Sequence, residues 1–218
     1  QAAINDCGDL TAVKGGCHVI LVPGVYDLGN GSYGISVDSS SGPVSSVIIE
    51  GMGGPGVDTF TTANSTVTLS YSGSGNAIQL GDFTADGAQN RLTGAIFRNF
   101  KVIQSGTAGQ GVGIFGRTLR RSLVENIQII NFLDGLVLNT VSDFNRINAV
   151  TITGSGSRGV AIATTANSGA AYTFGDGNGN CNGNVFTGLD VQRDSNGRTG
   201  GGNGITIENV AEGTVIRD

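Results

Sequence analysis

Leu123-Val124-Glu125-Asn126-Ile127-Gln128-Ile129-Ile130 followed by Gly135-Leu136-Val137-Leu138, and then Ile147-Asn148-Ala149-Val150-Thr151-Ile152 followed by Gly159-Val160-Ala161-Ile162, is one pattern written twice. An apolar-x-x-apolar-x-apolar unit precedes a Gly-apolar-x-apolar unit. Working outward, the pattern recurs as Phe97-x-x-Phe100-x-Val102 with Gly111-Val112-x-Ile114, and as Phe186-x-x-Leu189-x-Val191 with Gly204-Ile205-x-Ile207. A looser copy has Val67-x-Leu69 and Ala77-Ile78-x-Leu80. The Gly-led units stand 24 and 24 residues apart in the middle, with gaps of 34 before and 45 after.

Each unit is a period-2 strand of a few residues, rich in Ile, Val and Leu and too short to bury its own apolar face. A repeat of about 24 residues is the length of one coil of a parallel β-solenoid, in which stacked neighbours bury a continuous core. The expected fold is therefore all-β, a parallel β-solenoid. Stacking puts Phe100, Ile127, Val150 and Leu189 in one inward column and Val112, Leu136, Val160 and Ile205 in another. Gly111, Gly135, Gly159 and Gly204 then share one bend, where glycine supplies positive φ. The 19 asparagines tolerate the same region. An amphipathic helix fails as an alternative, because the apolar residues alternate and Gly, Ser, Thr and Asn are poor helix-interior residues.

The chain has 218 residues with 38 glycines, 3 prolines, no tryptophan, 1 histidine and a net charge of −5. Glycine lacks a period of three and proline is scarce, which excludes collagen. The apolar fraction of 38% supplies a core, which excludes a disordered chain. Apolar runs such as Cys17 to Val22 are far short of the ~18 residues of a spanning helix, so no membrane insertion is expected. Nucleic acid is not an expected partner either: a binder shows a basic face, and the one cationic cluster in sequence is Arg117, Arg120 and Arg121. The length fits one domain, 1–218, with a cap and first coil over 1–60 and about five coils over 61–218, carrying long loops near 165–184 and 195–203. A short capping helix near Gln1 to Leu10 would cover the open end. Cys7 and Cys17 flank a Gly-Gly bend and are spaced for a local disulfide, leaving Cys181 odd. With Cys7, Cys17 and His18 as its only clustered ligands, a zinc site is not expected. Neither metal nor cofactor is implied elsewhere. Asp176 to Cys181 departs from a calcium loop at its sixth position and reads as a turn.

Ala2-Ala3-Ile4-Asn5, Gly15-Gly16, Val19-Ile20-Leu21-Val22-Pro23-Gly24-Val25-Tyr26 and Val47-Ile48-Ile49-Glu50-Gly51 together resemble the N-terminal segment of pectate-lyase-like right-handed β-helix proteins. That superfamily contains polysaccharide lyases, glycoside hydrolases, epimerases and phage tailspikes, so the resemblance speaks to fold more than to activity. It implies a single-stranded right-handed parallel β-helix, a polysaccharide partner, an extracellular or virion setting and, by likeness to tailspikes, a homotrimer. The chain departs from the galacturonan-hydrolase pattern, having neither a paired Asp-Asp nor a Gly-His-Gly element. His18 reads as a strand residue rather than a catalyst.

Register explains several charges without function. Asp134 falls over Arg158, with Gln110 and Asn203 further along, and Arg98 falls opposite Glu125, followed by Asn148 and Thr187. Both look like coil-to-coil ion pairs on a solvated face, worth about 0.2–1 kcal/mol each. Asp190 remains, outward between Leu189 and Val191 in the column Lys101, Gln128, Thr151, Asp190, with Arg193 and Asp194 at the bend beyond. Long loops on a rigid scaffold carry function. Those on either side of this coil would wall a groove, with Asp190 and Asp194 as an acid pair and Arg193 beside them. Asp143 with Arg146, beside Tyr172 or Phe174, is a second candidate. Two functions stay open: a carbohydrate-directed protein that binds and cleaves polysaccharide as a lyase or hydrolase, and a non-catalytic structural or adhesive module of a phage tail or surface fibre. Ile216 matches Phe186 and Arg217 matches Thr187, so a new coil begins at the end of the sequence, to be continued or covered by another chain.

Overall fold

A computed structural model describes residues 16–39, 43–53, 66–83, 90–162, 181–192, 203–207 and 212–218. The expected capping helix, most of both long loops, Cys7, Arg193 and Asp194 lie outside the described residues. The chain runs in repeated circuits. The first comprises β1 (Cys17–Leu21), β2 (Gly24–Asp27), β3 (Tyr33–Asp38) and β4 (Val44–Ser45). The second comprises β5 (Val47–Gly51), β6 (Val67–Tyr71), β7 (Asn76–Gly81) and β8 (Leu92–Thr93). The third has β9 (Ile96–Gln104), β10 (Gln110–Arg117) and β11 (Leu119–Arg120). Then come β12 (Leu123–Ile130) with β13 (Phe132–Asn139), and β14 (Arg146–Thr153) with β15 (Arg158–Ile162). The last are β16 (Val185–Thr187), β17 (Asp190–Gln192), β18 (Asn203–Ile207) and β19 (Val215–Arg217).

Among the described residues every strand pairing is parallel, and strands pair with their equivalents one circuit away. The first sheet runs β1-β5-β9-β12-β14-β16-β19, with β2, β6 and β17 also belonging to it; the second runs β3-β7-β10-β13-β15-β18; the third is β4-β8-β11. One core cluster runs through all of them. In the first sheet Phe97, Val124, Ile147 and Phe186 form one buried column, and Phe100, Ile127 and Val150 another. Leu189 continues the latter, partly buried. Between these columns the strands bend at Asn99, Asn126, Ala149 and Gly188, all left-handed at φ 64, 51, 49 and 59. Asn126 donates its side-chain amide to Asn99 Oδ1 at 2.9 Å, so asparagine stabilises this bend by bonding along its own column.

The second sheet departs from the expected register by two residues. Ile114, not Val112, faces Leu136, and Val112 faces Asp134, while Leu136, Val160 and Ile205 align as expected. The aligned glycines are consequently Gly113, Gly135, Gly159 and Gly204, and none of these four has positive φ; Gly111 alone of the expected set does, at 67. Their reason is space. A Cβ on Gly135 would lie 2.5 Å from Ile152 Cγ2 and 2.6 Å from the Gly159 carbonyl oxygen. On Gly113 and Gly159 it would meet Ile129 and Val191 in the same way. Glycine lets the side chains of the first sheet reach the backbone of the second. Val112 joins Phe115, Val137 and Ala161 in a separate buried cluster with Phe83 against it.

Asp134 does face Arg158, but the pair is buried rather than solvated, at 1% and 4% exposure. Arg158 in turn faces Asn203; Gln110 faces Phe132 instead of extending this column. Arg98, Glu125, Asn148 and Thr187 align as expected, yet Arg98 bonds Glu50 on the preceding circuit, at 3.0 Å, rather than Glu125. Cys17 is disulfide-bonded with its partner outside the described residues, and Cys181 is a buried thiol that is not part of a disulfide.

Candidate functional site

One corner of each circuit, just before the chain joins the first sheet, holds the column Ser46, Gly94, Arg121, Phe144, Gly183 and Gly213. All six are left-handed, with φ of 59, 67, 50, 58, 62 and 66. The corner is built by backbone bonds between circuits. Gly94 N–H donates to Arg120 O at 3.0 Å, Arg121 N–H to Asp143 O at 3.0 Å, Phe144 N–H to Asn182 O at 2.8 Å and Gly183 N–H to Glu212 O at 2.7 Å. The backbone demands this conformation whatever the residue. Glycine meets the demand without strain, whereas a residue carrying Cβ costs about 1–2 kcal/mol there. Arg121 and Phe144 are the bulky residues that carry this strain.

Both line a groove of about 920 Å³. Its floor is the outer face of the first sheet. One outward column there reads Ile96, Leu123, Arg146, Val185, Val215, so Arg146 interrupts an aliphatic strip. The next reads Glu50, Arg98, Glu125, Asn148, Thr187, Arg217. The groove is lined by Arg121, Arg146, Arg217, Phe144, Glu125 and Asn148 among others. Asn148 donates to Glu125 Oε1 at 2.8 Å. Arg121, Arg146 and Arg217 are exposed and make no ion pair with another described residue.

The corner is firmly supported. The Asp143 carboxylate accepts the Asn182 N–H at 3.0 Å and lies 4.0 Å from Arg91 Nη1. The Arg120 guanidinium carbon sits 5.8 Å from the centre of the Phe144 ring, within cation–π reach. The ring also lies against Gly183, where a Cβ would come 2.6 Å from Phe144 Cδ1. Behind it, Ser122 N–H donates to Asn145 Oδ1 at 3.0 Å, and Asn145 donates through both its backbone and side-chain N–H groups to Asn184 Oδ1 at 3.0 Å. Asn145 and Asn184 are fully buried, so this satisfied ladder fixes the corner below the groove.

Asp190 is exposed on β17 and faces Thr151, which with Gln128 and Lys101 completes its expected column. Its carboxylate accepts a bond from Gln192. It lies beyond the Asn126 bend and is not a lining residue of the groove. Arg193, Asp194, Tyr172 and Phe174 lie outside the described residues. Asp143 and Arg146 share the corner but play different parts, for Asp143 is buried and anchors it, while Arg146 lines the groove. The cluster of Arg117, Arg120 and Arg121 splits, with Arg117 buried and donating to Thr140 Oγ1 at 3.2 Å. His18 is an exposed strand residue 3.3 Å from Glu50 Oε2. The Arg98 guanidinium, through its hydrogen bond, holds the Glu50 carboxyl below the usual range against the opposing effect of desolvation, and His18 adds to the lowering. Arg121 and Phe144 were not legible as site residues, because the corner column has irregular spacing, and the alignment of Arg217 with Thr187 did not by itself point to a groove. The signal was a bulky residue aligned with glycines. Among the described residues no group of three or more His, Cys, Asp or Glu could hold a metal ion. No protein-family model, curated protein or solved structure matches the chain.

Proposed function

We propose that this chain is a right-handed parallel β-helix of the pectate-lyase-like kind, directed at polysaccharide in an extracellular or virion setting. The groove carries the reading. Aliphatic side chains, an aromatic ring, amide and hydroxyl groups and cations share one elongated surface, matching the apolar faces and polar edges of sugar rings. The cleaving form of the proposal gives the acid roles to Asp190 and Asp194, with Arg193 beside them. Glycosidic hydrolysis needs two carboxyls about 5–5.5 Å or about 6.5–9.5 Å apart. The non-catalytic reading, an adhesive or structural module that forms trimers, draws on one observation. Among the described residues Glu125 is the one carboxylate residue lining the groove, and it is engaged by Asn148.

Incubation with neutral and acidic polysaccharides decides between them. New reducing ends with an unsaturated-uronate chromophore mean a lyase, and reducing ends without it mean a hydrolase. Binding without either means the adhesive module. For a cleaving enzyme, Asp190→Asn abolishes turnover at an unchanged melting temperature; activity that survives removes Asp190 from the mechanism.

A further inference from the structure

We infer that the groove at the left-handed corner is a site for acidic glycans, in which Arg121, Arg146 and Arg217 pair with the anionic groups of successive sugars and Phe144 stacks on a ring face. This rests on the polysaccharide reading above and narrows it to a charge class and a place.

Three observations converge. First, the charge is in the wrong place for a solvated surface: the chain carries a net −5, yet among the described residues this groove gathers three exposed arginines around one carboxylate residue, Glu125. None of the three is engaged in an ion pair with another described residue. Arginine rather than lysine is the fork that pairs two-pronged with a carboxylate or sulfate. Second, strain marks the same spot. At the corner, Arg121 and Phe144 occupy left-handed positions where Gly94, Gly183 and Gly213 stand on other circuits. Backbone strain that a glycine would relieve persists where the side chain itself is needed. Third, the spacing fits a polymer. Arg121 leads into β12, Arg146 is on β14 and Arg217 is on β19, and β16 lies between the last two. At ~4.8 Å per strand the cations extend along about 14 Å of the sheet, longer than one sugar ring. Phe144, 49% exposed and held by Arg120 and Gly183, supplies an aromatic face to the groove.

Nucleic acid offers anions too, but the groove places Glu125 among its cations and the chain as a whole is acidic, whereas nucleic-acid sites present a broad basic face.

Affinity electrophoresis of the intact protein through gels containing polygalacturonate, dextran sulfate, neutral dextran or poly(dT) tests this. Retardation by polygalacturonate or by dextran sulfate is expected, and which of the two it is identifies the acid group as carboxylate or sulfate. Losing one charged hydrogen-bonding partner weakens binding roughly 10- to 100-fold, so Arg121→Gln and Arg146→Gln should each show a loss of that order, with a shallower salt dependence. Phe144→Ala should weaken binding while leaving the salt dependence as it was. Retardation by dextran that the arginine variants do not alter overturns the acidic-glycan assignment but leaves the carbohydrate reading standing. No retardation by any glycan removes both. Stronger retardation by poly(dT) than by either acidic glycan overturns the assignment in favour of nucleic acid.

Discussion

Arg158 on β15 closes a two-pronged ion pair on Asp134 of β13, with Nε to Oδ1 at 3.0 Å and Nη2 to Oδ2 at 2.7 Å, inside the protein rather than on its face. The pair joins two consecutive circuits of the second sheet. Its burial makes it consequential in one direction only. Removing one partner leaves an uncompensated buried charge and costs about 3–5 kcal/mol, whereas an apolar pair of similar volume is often neutral or stabilising. Urea denaturation of Arg158→Met, which leaves the buried Asp134 carboxylate without its cation, should show a loss of that size. The double variant Asp134→Leu/Arg158→Met should recover most of it, and a double variant as unstable as the single would contradict this account.

The glycine column offers a sharp internal contrast. Gly135→Ala forces a Cβ against the Gly159 carbonyl, a backbone atom that cannot swing aside, and overpacking of this kind costs about 1–3 kcal/mol. Gly204 belongs to the same column, but its Cβ would meet nothing within 4 Å. Gly204→Ala should therefore change stability by less than about 0.5 kcal/mol. Equal effects from the two, measured by thermal unfolding, would show that conformation and not space explains these glycines.

Arg121→Gly should make the protein more stable and a poorer binder. Relief of the left-handed strain gains about 1–2 kcal/mol. The greater freedom of glycine in the unfolded chain takes back about 0.4–1 kcal/mol. A net gain near about 1 kcal/mol in unfolding free energy, with weaker retention by acidic glycan, is the expected outcome. A destabilised variant would mean that Arg121 makes contacts worth more than its strain.

Glu50 should titrate below an ordinary glutamate, because Arg98 bonds its ionised form in the folded state. A folded pKa that is depressed stabilises the fold above the unfolded value, about 4.3. That contribution is lost as pH falls through the folded value. Carboxyl NMR titration should place Glu50 below the ordinary range in the wild type and return it upward in Arg98→Gln. An unmoved midpoint would remove Arg98 as the cause.

Much of the architecture was readable from particular residues. Phe100, Ile127 and Val150 align as their shared units required, because three apolar side chains at period two have one inward face to share. The Asp134–Arg158 and Arg98–Glu125 facings followed from the same alignment, and Asp190 took its place in the Thr151 column. What misled was the Gly-led unit of β10. Gly111-Val112-x-Ile114 reads as the same unit as Gly135-Leu136-x-Leu138, yet Val112 packs with Phe115 and Val137 while Ile114 enters the main core.

By itself, then, the sequence determined that short alternating strands stack in parallel on their equivalents, since units recurring in one fixed order give each strand a neighbour whose apolar face continues its own. The tertiary structure decided three things beyond that. It chose Ile114 over Val112 as the partner of Leu136, a choice that period-two patterning cannot make. It turned the Asp134–Arg158 pair inward. It also gathered Arg121, Phe144, Arg146 and Arg217 around one groove, although the circuits between them differ in length, because backbone hydrogen bonds stack the corners regardless of how much chain each circuit holds.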